Sequence, residues 1–120
     1  RATAWLRLHE AVGDDPFLHA CGLAYVSDDL PTDAVFGVHP DVPPEREQEP
    51  ESPHDVLTSA SLDHSIWFHA LADPSQWQLH DFTSHGIGGS RGLATGQVYT
   101  ASGEHIATIS QEVLLRRRRN

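Results

Sequence analysis

The sequence contains no lysine and no methionine, and its one cysteine is Cys21. A lone cysteine cannot close a disulfide within the chain or build a cysteine-rich metal site, and it fits a reducing compartment. No apolar run approaches the ~20 residues of a membrane span, and no signal-peptide pattern is present. The expectation is a cytoplasmic protein without membrane contact. Positive charge is scarce too: eight basic residues stand against 17 acidic ones, for a formal net charge of -9. That balance argues against nucleic acid as a partner, because binding a phosphate backbone rests on a cationic surface. It leaves room for a local basic pocket that meets a phosphorylated ligand. The terminal cluster Arg116 to Arg119 reads as a solvated end or as a contact for phosphate or an acidic partner.

At 120 residues the chain is one domain at most, with a modest core. It opens on the strand-like Ala2-Thr3-Ala4-Trp5-Leu6-Arg7-Leu8 without an initiator Met, as a fragment or processed piece would. A strand is expected over 2–10. Asp14-Asp15-Pro16 then starts a helix, with Asp as N-cap and Pro in the first turn. The helix is expected to run to about Asp28, with Leu18, Cys21 and Tyr25 as its apolar stripe and Asp28 next on that face. The plain alternative for Asp28 is a solvated residue at the helix end.

Prolines and glutamates dominate the next segment, about 31–56, which reads as a solvated loop or lid with a short turn of helix near 32–37. Strands follow over 62–69, from Trp77 to Phe82, over 91–100, and from His105 through Leu115. A glycine-rich turn is expected at His85-Gly86-Ile87-Gly88-Gly89. The order of strand, helix, excursion and strand meander implies an α+β fold: a curved antiparallel sheet wrapped around one central helix.

One position breaks the strand pattern. Along the last strand, alternate residues read Ala107, Ile109, Gln111, Val113 and Leu115, so Gln111 points into the apolar side. A buried amide needs partners or is costly, which makes Gln111 a candidate for chemistry. Nine histidines invite a metal, but no HExxH or facial arrangement is present, so hydrogen-bonded or aromatic-like imidazoles are expected and no metal or cofactor. The glycine turn lacks the ending of a phosphate loop. Arg91 beside it is read equally as a surface ion pair or as a contact for phosphate or carboxylate. No GxSxG elbow surrounds Ser61, which alone reads as a turn or strand-start residue. Asp63 and His64 are expected on opposite strand faces, which argues against a direct dyad.

The block Ser59-Ala60-Ser61-Leu62-Asp63-His64-Ser65-Ile66-Trp67-Phe68-His69 resembles the signature of the acyl-CoA thioesterase II family. Tyr25-Val26-Ser27-Asp28, Arg91-Gly92-Leu93-Ala94-Thr95-Gly96 and Ile109-Ser110-Gln111-Glu112 resemble the same family and occur in its order. The resemblance implies a single hotdog domain over 1–120, the C-terminal half of a double hotdog, paired with an N-terminal half or a second copy in a homo-oligomer. It also implies hydrolysis of acyl-CoA thioesters by a triad of Asp28, Ser61 and Gln111. In that scheme Asp28 deprotonates a water that Ser61 and Gln111 hold, and Ser61 is not acylated. Tyr25, Ile66 and Phe68 are the expected contacts of the acyl chain, and Arg91 that of the CoA phosphates.

The sequence departs from the family at Ala70-Leu71, where an Arg and a Pro are usual, and at Val113, where a Gly is usual. Two other functions compete with hydrolysis. One is a non-catalytic acyl-CoA-binding or structural hotdog half. The other is a hotdog hydratase, which calls for a carboxylate paired with a histidine.

Overall fold

The computed structural model describes residues 1–38 and 57–117. Most of the Pro/Glu-rich excursion, 39–56, and residues 118–120 of the terminal arginine cluster lie outside the described residues. The elements run β1 (Ala2–Leu6), α1 (Pro16–Val26), α2 (Leu30–Phe36), β2 (Leu57–Ser61), β3 (Ser65–Phe68), β4 (Gln78–Gly88), β5 (Arg91–Thr100) and β6 (His105–Arg117). The strands form one sheet in the order β1-β4-β5-β6-β2, with β3 also paired to β6. Each pairing is antiparallel.

The expected alternation in β6 holds: Ala107, Ile109, Gln111, Val113 and Leu115 are all buried. They share the inner face with Ala94 and Val98 of β5 and with Gln78, His80 and Phe82 of β4. Two glycines of β5 make room on that face. A Cβ at Gly92 would stand 2.3 Å from Val35 Cγ1, and one at Gly96 would stand 2.4 Å from the Phe82 ring. Val35, Ala34 and Phe36 of α2 therefore settle directly onto the sheet, where α2 packs against β4, β5, β1 and β6.

The central helix comes in two pieces. Asp15 caps α1, its side chain accepting from Phe17 N, and Pro16 sits in the first turn, as the sequence predicts. Pro31 explains the break. Continued as one helix, its ring would clash with the carbonyl of Ser27, four residues back, and no N–H would bond that carbonyl. Pro31 instead occupies the first turn of α2, where a missing N–H costs little. The helical turn expected near 32–37 is thus a full helix that begins at Leu30.

The expected apolar stripe of α1 is not its buried face. Phe17, Leu18, Cys21 and Tyr25 are exposed, and the buried residues are Gly22 and Leu23. Gly22 decides this, because a Cβ there would lie 2.7 Å from Pro74 and 2.8 Å from Leu8. The helix turns its smallest residue to the closest contact. The glycine-rich segment also differs from expectation. β4 continues through it to Gly88, with a bulge between Ser84 and Gly86, and only Gly89 and Ser90 form the turn. Both have φ of 60°, the left-handed backbone that a two-residue hairpin turn demands.

Candidate active site

The break between α1 and α2 leaves Ser27, Asp28 and Asp29 as a short corner. Ser27 is fully buried and closes α1, its N–H bonded to the Leu23 carbonyl. Asp28 follows it and is exposed. Placed after α1 alone, a carboxylate would meet an unfavourable helix field; the start of α2 two residues later offsets this.

Across from the corner, β2 and β3 lie end to end along β6. Ser61 faces Val113, and Ser65 faces Ser110. Three residues, Leu62 to His64, therefore stand against two, Gln111 and Glu112. The one extra residue is a bulge, and it shifts the alternation of side chains. Ser61 and Ser65, four apart, would share a face in a regular strand. Here Ser61 stands with buried Val113 on the inner face, and Ser65 stands opposite Ser110 on the outer one. The expected strand over 62–69 thus begins only at Ser65. Asp63 secures the bulge: the Glu112 N–H donates to Asp63 Oδ1 at 2.8 Å, while the Leu62 N–H donates to the Glu112 carbonyl at 2.9 Å. The carboxylate receives a ladder donor that the bulge would otherwise orphan.

The three residues expected in a triad meet here. The Ser61 hydroxyl donates to Asp28 Oδ1 at 2.9 Å, and Gln111 Nε2 donates to Ser61 Oγ at 2.9 Å. Gln111 is fully buried, so its amide reaches Ser61 rather than the open side of the site. It stands one layer behind the position expected for it, supporting the hydroxyl instead of touching the pocket. His64, which the sequence offers only as a disfavoured dyad partner of Asp63, joins them through other partners. Its Nδ1 lies 2.5 Å from Gln111 Oε1, and its Nε2 lies 2.9 Å from Ser27 Oγ. Its place inside the DHS block was the available signal, but alternation without a bulge aims it elsewhere. Among the described residues no hydrogen bond or ion pair joins this imidazole to a carboxylate.

Asp28, Ser61 and His64 line a pocket of about 410 Å³ with Ala24, Tyr25, Leu62 and Asp63. A second cavity of about 420 Å³ shares Tyr25 and Asp28 and adds Leu6, Arg7, Val26 and Asp29. Tyr25 is thus at the site. Ile66 and Phe68 lie on the inner face of β3, opposite Ile109 and Ala107. Ile66 packs against the core and Phe68 is exposed. Arg91 is not brought to the cluster: it is opposite Leu114, on the face away from Gln111, and lies 3.9 Å from Glu112. Among the described residues Arg7 lies beside the site, stacked 4.9 Å over the Trp77 ring.

Other histidines are hydrogen-bonded, His69 to Thr108 and His105 to Gln97. His80 is fully buried with neither ring nitrogen bonded, and burial holds its pKa down at about 4. It behaves as a neutral aromatic filler. No group of three or more His, Cys, Asp or Glu side chains among the described residues is placed to hold a metal ion.

This geometry has relatives. The family described as the acyl-CoA thioesterase C-terminal domain matches residues 1–115. Acyl-coenzyme A thioesterase 8 of Homo sapiens is 35% identical over 113 residues, which are 93% of this chain and 32% of that protein. Acyl-CoA thioesterase 2 of Haemophilus influenzae is 49% identical over 57 residues, 48% of this chain and 20% of that protein. The crystal structure of an acyl-CoA thioesterase II, TesB2, from Mycobacterium marinum matches with a TM-score of 0.78 at 34% identity, over 98% of this chain and 43% of that one. The shared architecture is the hotdog, a curled antiparallel sheet against its helix. The chain spans about a fifth to a third of the length of these two curated relatives.

Proposed function

The chain belongs to the family of acyl-CoA thioesterase C-terminal domains, and from that premise we propose that it supplies the site where water attacks an acyl-CoA thioester. The observation that carries this reading is the unbroken hydrogen-bonded line from Asp28 through Ser61 to Gln111 at the edge of a pocket. Ser61 has a single hydroxyl hydrogen, and it is committed to Asp28. Gln111 fills one of its lone pairs, which leaves the other to accept from water. Among the described residues the second Asp28 oxygen has no hydrogen-bond partner. A water that gives one hydrogen to that oxygen and the other to Ser61 keeps its own lone pairs for the thioester carbonyl.

Asp28 is the general base. Ser61 orients the water and lowers the entropy of reaching attack geometry. Gln111 holds Ser61. The water oxygen bonds the carbonyl carbon while its proton passes to Asp28. Collapse of the tetrahedral intermediate then breaks the carbon–sulfur bond, and the thiolate takes the proton back from Asp28. The products are a free fatty acid and CoA. No covalent acyl-enzyme forms.

Tyr25, Ile66 and Phe68 contact the acyl chain along the inner face of the sheet. Arg7, rather than Arg91, meets the CoA phosphates from the cavity that shares Tyr25 and Asp28. The exposed apolar residues of α1, Phe17 at 71% and Tyr25 at 80% exposure, are the surface for an N-terminal hotdog or a second copy in a homo-oligomer. The cytoplasm is the compartment that suits the free Cys21.

Thiol release from short-, medium- and long-chain acyl-CoAs tests this reading, with the chain assayed alone and with an N-terminal hotdog of the family. Release that disappears in Asp28→Asn supports it. Folded protein that releases no thiol in either form favours a binding or structural half.

A further inference from the structure

We infer that His64 is the positioning residue of this site, the group that fixes which way the Gln111 amide faces. The inference rests on the hydrolytic reading above and follows from counting hydrogens along the chain of contacts. A carboxylate only accepts, so the hydrogen between Ser61 and Asp28 belongs to Ser61. Ser61 has no second hydrogen, so the group on its other side must donate. Gln111 therefore turns its NH₂ toward Ser61 and its carbonyl oxygen toward His64. That oxygen can only accept, which places a proton on His64 Nδ1.

Ser27 does not alter this result. Its hydroxyl lies 2.9 Å from His64 Nε2 and 3.2 Å from the Ala24 carbonyl. Whichever of the two receives the Ser27 hydrogen, Nδ1 of His64 stays protonated. The chain then closes on itself: Asp28, Ser61, Gln111, His64 and Ser27 form a ring completed by the peptide bond between Ser27 and Asp28. His64 thus ties the helix corner that carries the base to the strand that carries the amide.

An amide can face two ways at almost equal size and shape. With the flipped face, Gln111 would put an acceptor against Ser61, which would then have to choose between Asp28 and Gln111. Either choice leaves one acceptor unpaired and swings the hydroxyl away from the place where it receives the water. The flip would also force His64 to move its proton from Nδ1 to Nε2, because an Nδ1–H would meet the NH₂ donor to donor. Gln111 and Ser27 are fully buried, so a lost partner leaves a costly polar group behind.

The first test needs no variant. Long-range proton–nitrogen NMR of the wild-type protein should find His64 protonated at Nδ1; an imidazole protonated at Nε2 alone overturns the inference. The second test is kinetic. His64→Ala should lower kcat about 10²-fold, the scale of misplacing a catalytic group, with KM nearly unchanged. His64→Asn keeps an N–H donor near the Nδ1 position and should restore kcat to within about tenfold of wild type, on the same scale.

In a Gln111→Ala background, adding His64→Ala should cost little more, since the amide it orients is gone. If Asp28→Asn abolishes thiol release while folded His64→Ala keeps wild-type kcat, the positioning role is wrong and the hydrolytic reading stands. If the folded wild-type protein releases no thiol either alone or with an N-terminal hotdog, yet His64 carries its proton at Nδ1, the hydrogen-bond assignment stands and the hydrolytic reading fails.

Discussion

Ser61 and Asp28 meet at 2.9 Å, with the serine as donor. The hydroxyl is therefore an acceptor toward a water that reaches it. Ser61→Ala should lower kcat about 10²-fold by freeing the water it orients. Ser61→Thr keeps the hydroxyl and should retain most of the activity. Rate constants for thiol release from the two variants, measured side by side, check this.

Arg7 lines a cavity beside Asp28, whereas Arg91 lies on the face of the sheet away from Gln111. Arg91 is 3.9 Å from Glu112 on the far face, and Arg7 lines the cavity that shares Asp28 and Tyr25. Arg7→Ala should raise KM for acyl-CoA about tenfold, roughly one lost charge-assisted contact, with kcat little changed. Arg91→Ala should leave KM near wild type. Comparing acyl-CoA with an acyl thioester that lacks the nucleotide locates the contact, because Arg7→Ala should affect only the former.

Gly96 lies flat against Phe82, and an added Cβ would stand 2.4 Å from the ring. Phe82 is fully buried in the middle of the sheet and has little room to yield. Gly96→Ala should destabilise the fold by about 1–3 kcal/mol through overpacking, read as a lower urea midpoint. Gly103, with φ of 95° and open space around it, is a different case. There an alanine pays only for backbone conformation, about 1–2 kcal/mol.

His80 gives stability a pH dependence with a definite sign. Its folded pKa is lowered to about 4 by burial, against about 6.5 for an unperturbed imidazole. Between those values the unfolded chain binds the proton and the folded one does not, so unfolding becomes easier as pH falls. The stabilisation is complete above pH 6.5 and declines toward pH 4, by about 2 kcal/mol at pH 5. His80→Phe fills the same space without a titrating nitrogen. Urea midpoints at pH 7 and pH 5 should fall further for wild type than for this variant.

The inner face of β6 is legible in the sequence because β-strand alternation is local and rigid. Gln111 announces itself as the one amide among Ile109, Val113 and Leu115. The cap at Asp15 and the hairpin between β5 and β6 are legible for the same reason, since nearby residues decide them. The face that α1 buries is not. Gly22 turns inward because Leu8 and Pro74, distant in sequence, come within 3 Å of where its Cβ would be. The place of His64 at the site is not legible because a single inserted residue at 62–64 reverses the alternation, and the carboxylate that stabilises the bulge bonds a backbone group on another strand. Arg7 lies in a segment whose pattern speaks only of strand. The triad itself needed the family resemblance, because Asp28 and Ser61 are ordinary residues until the fold brings them together.

The central claim is that water, and not a side chain, attacks the thioester. Single-turnover hydrolysis in ¹⁸O-labelled water, with protein in excess over acyl-CoA, tests it most directly when acid and protein are both weighed by mass spectrometry. Direct attack predicts one ¹⁸O in the fatty acid from the first turnover and no acylated protein at any time. An acyl group found on Ser61, or ¹⁸O retained in the Asp28 carboxylate while the first acid leaves unlabelled, would contradict it.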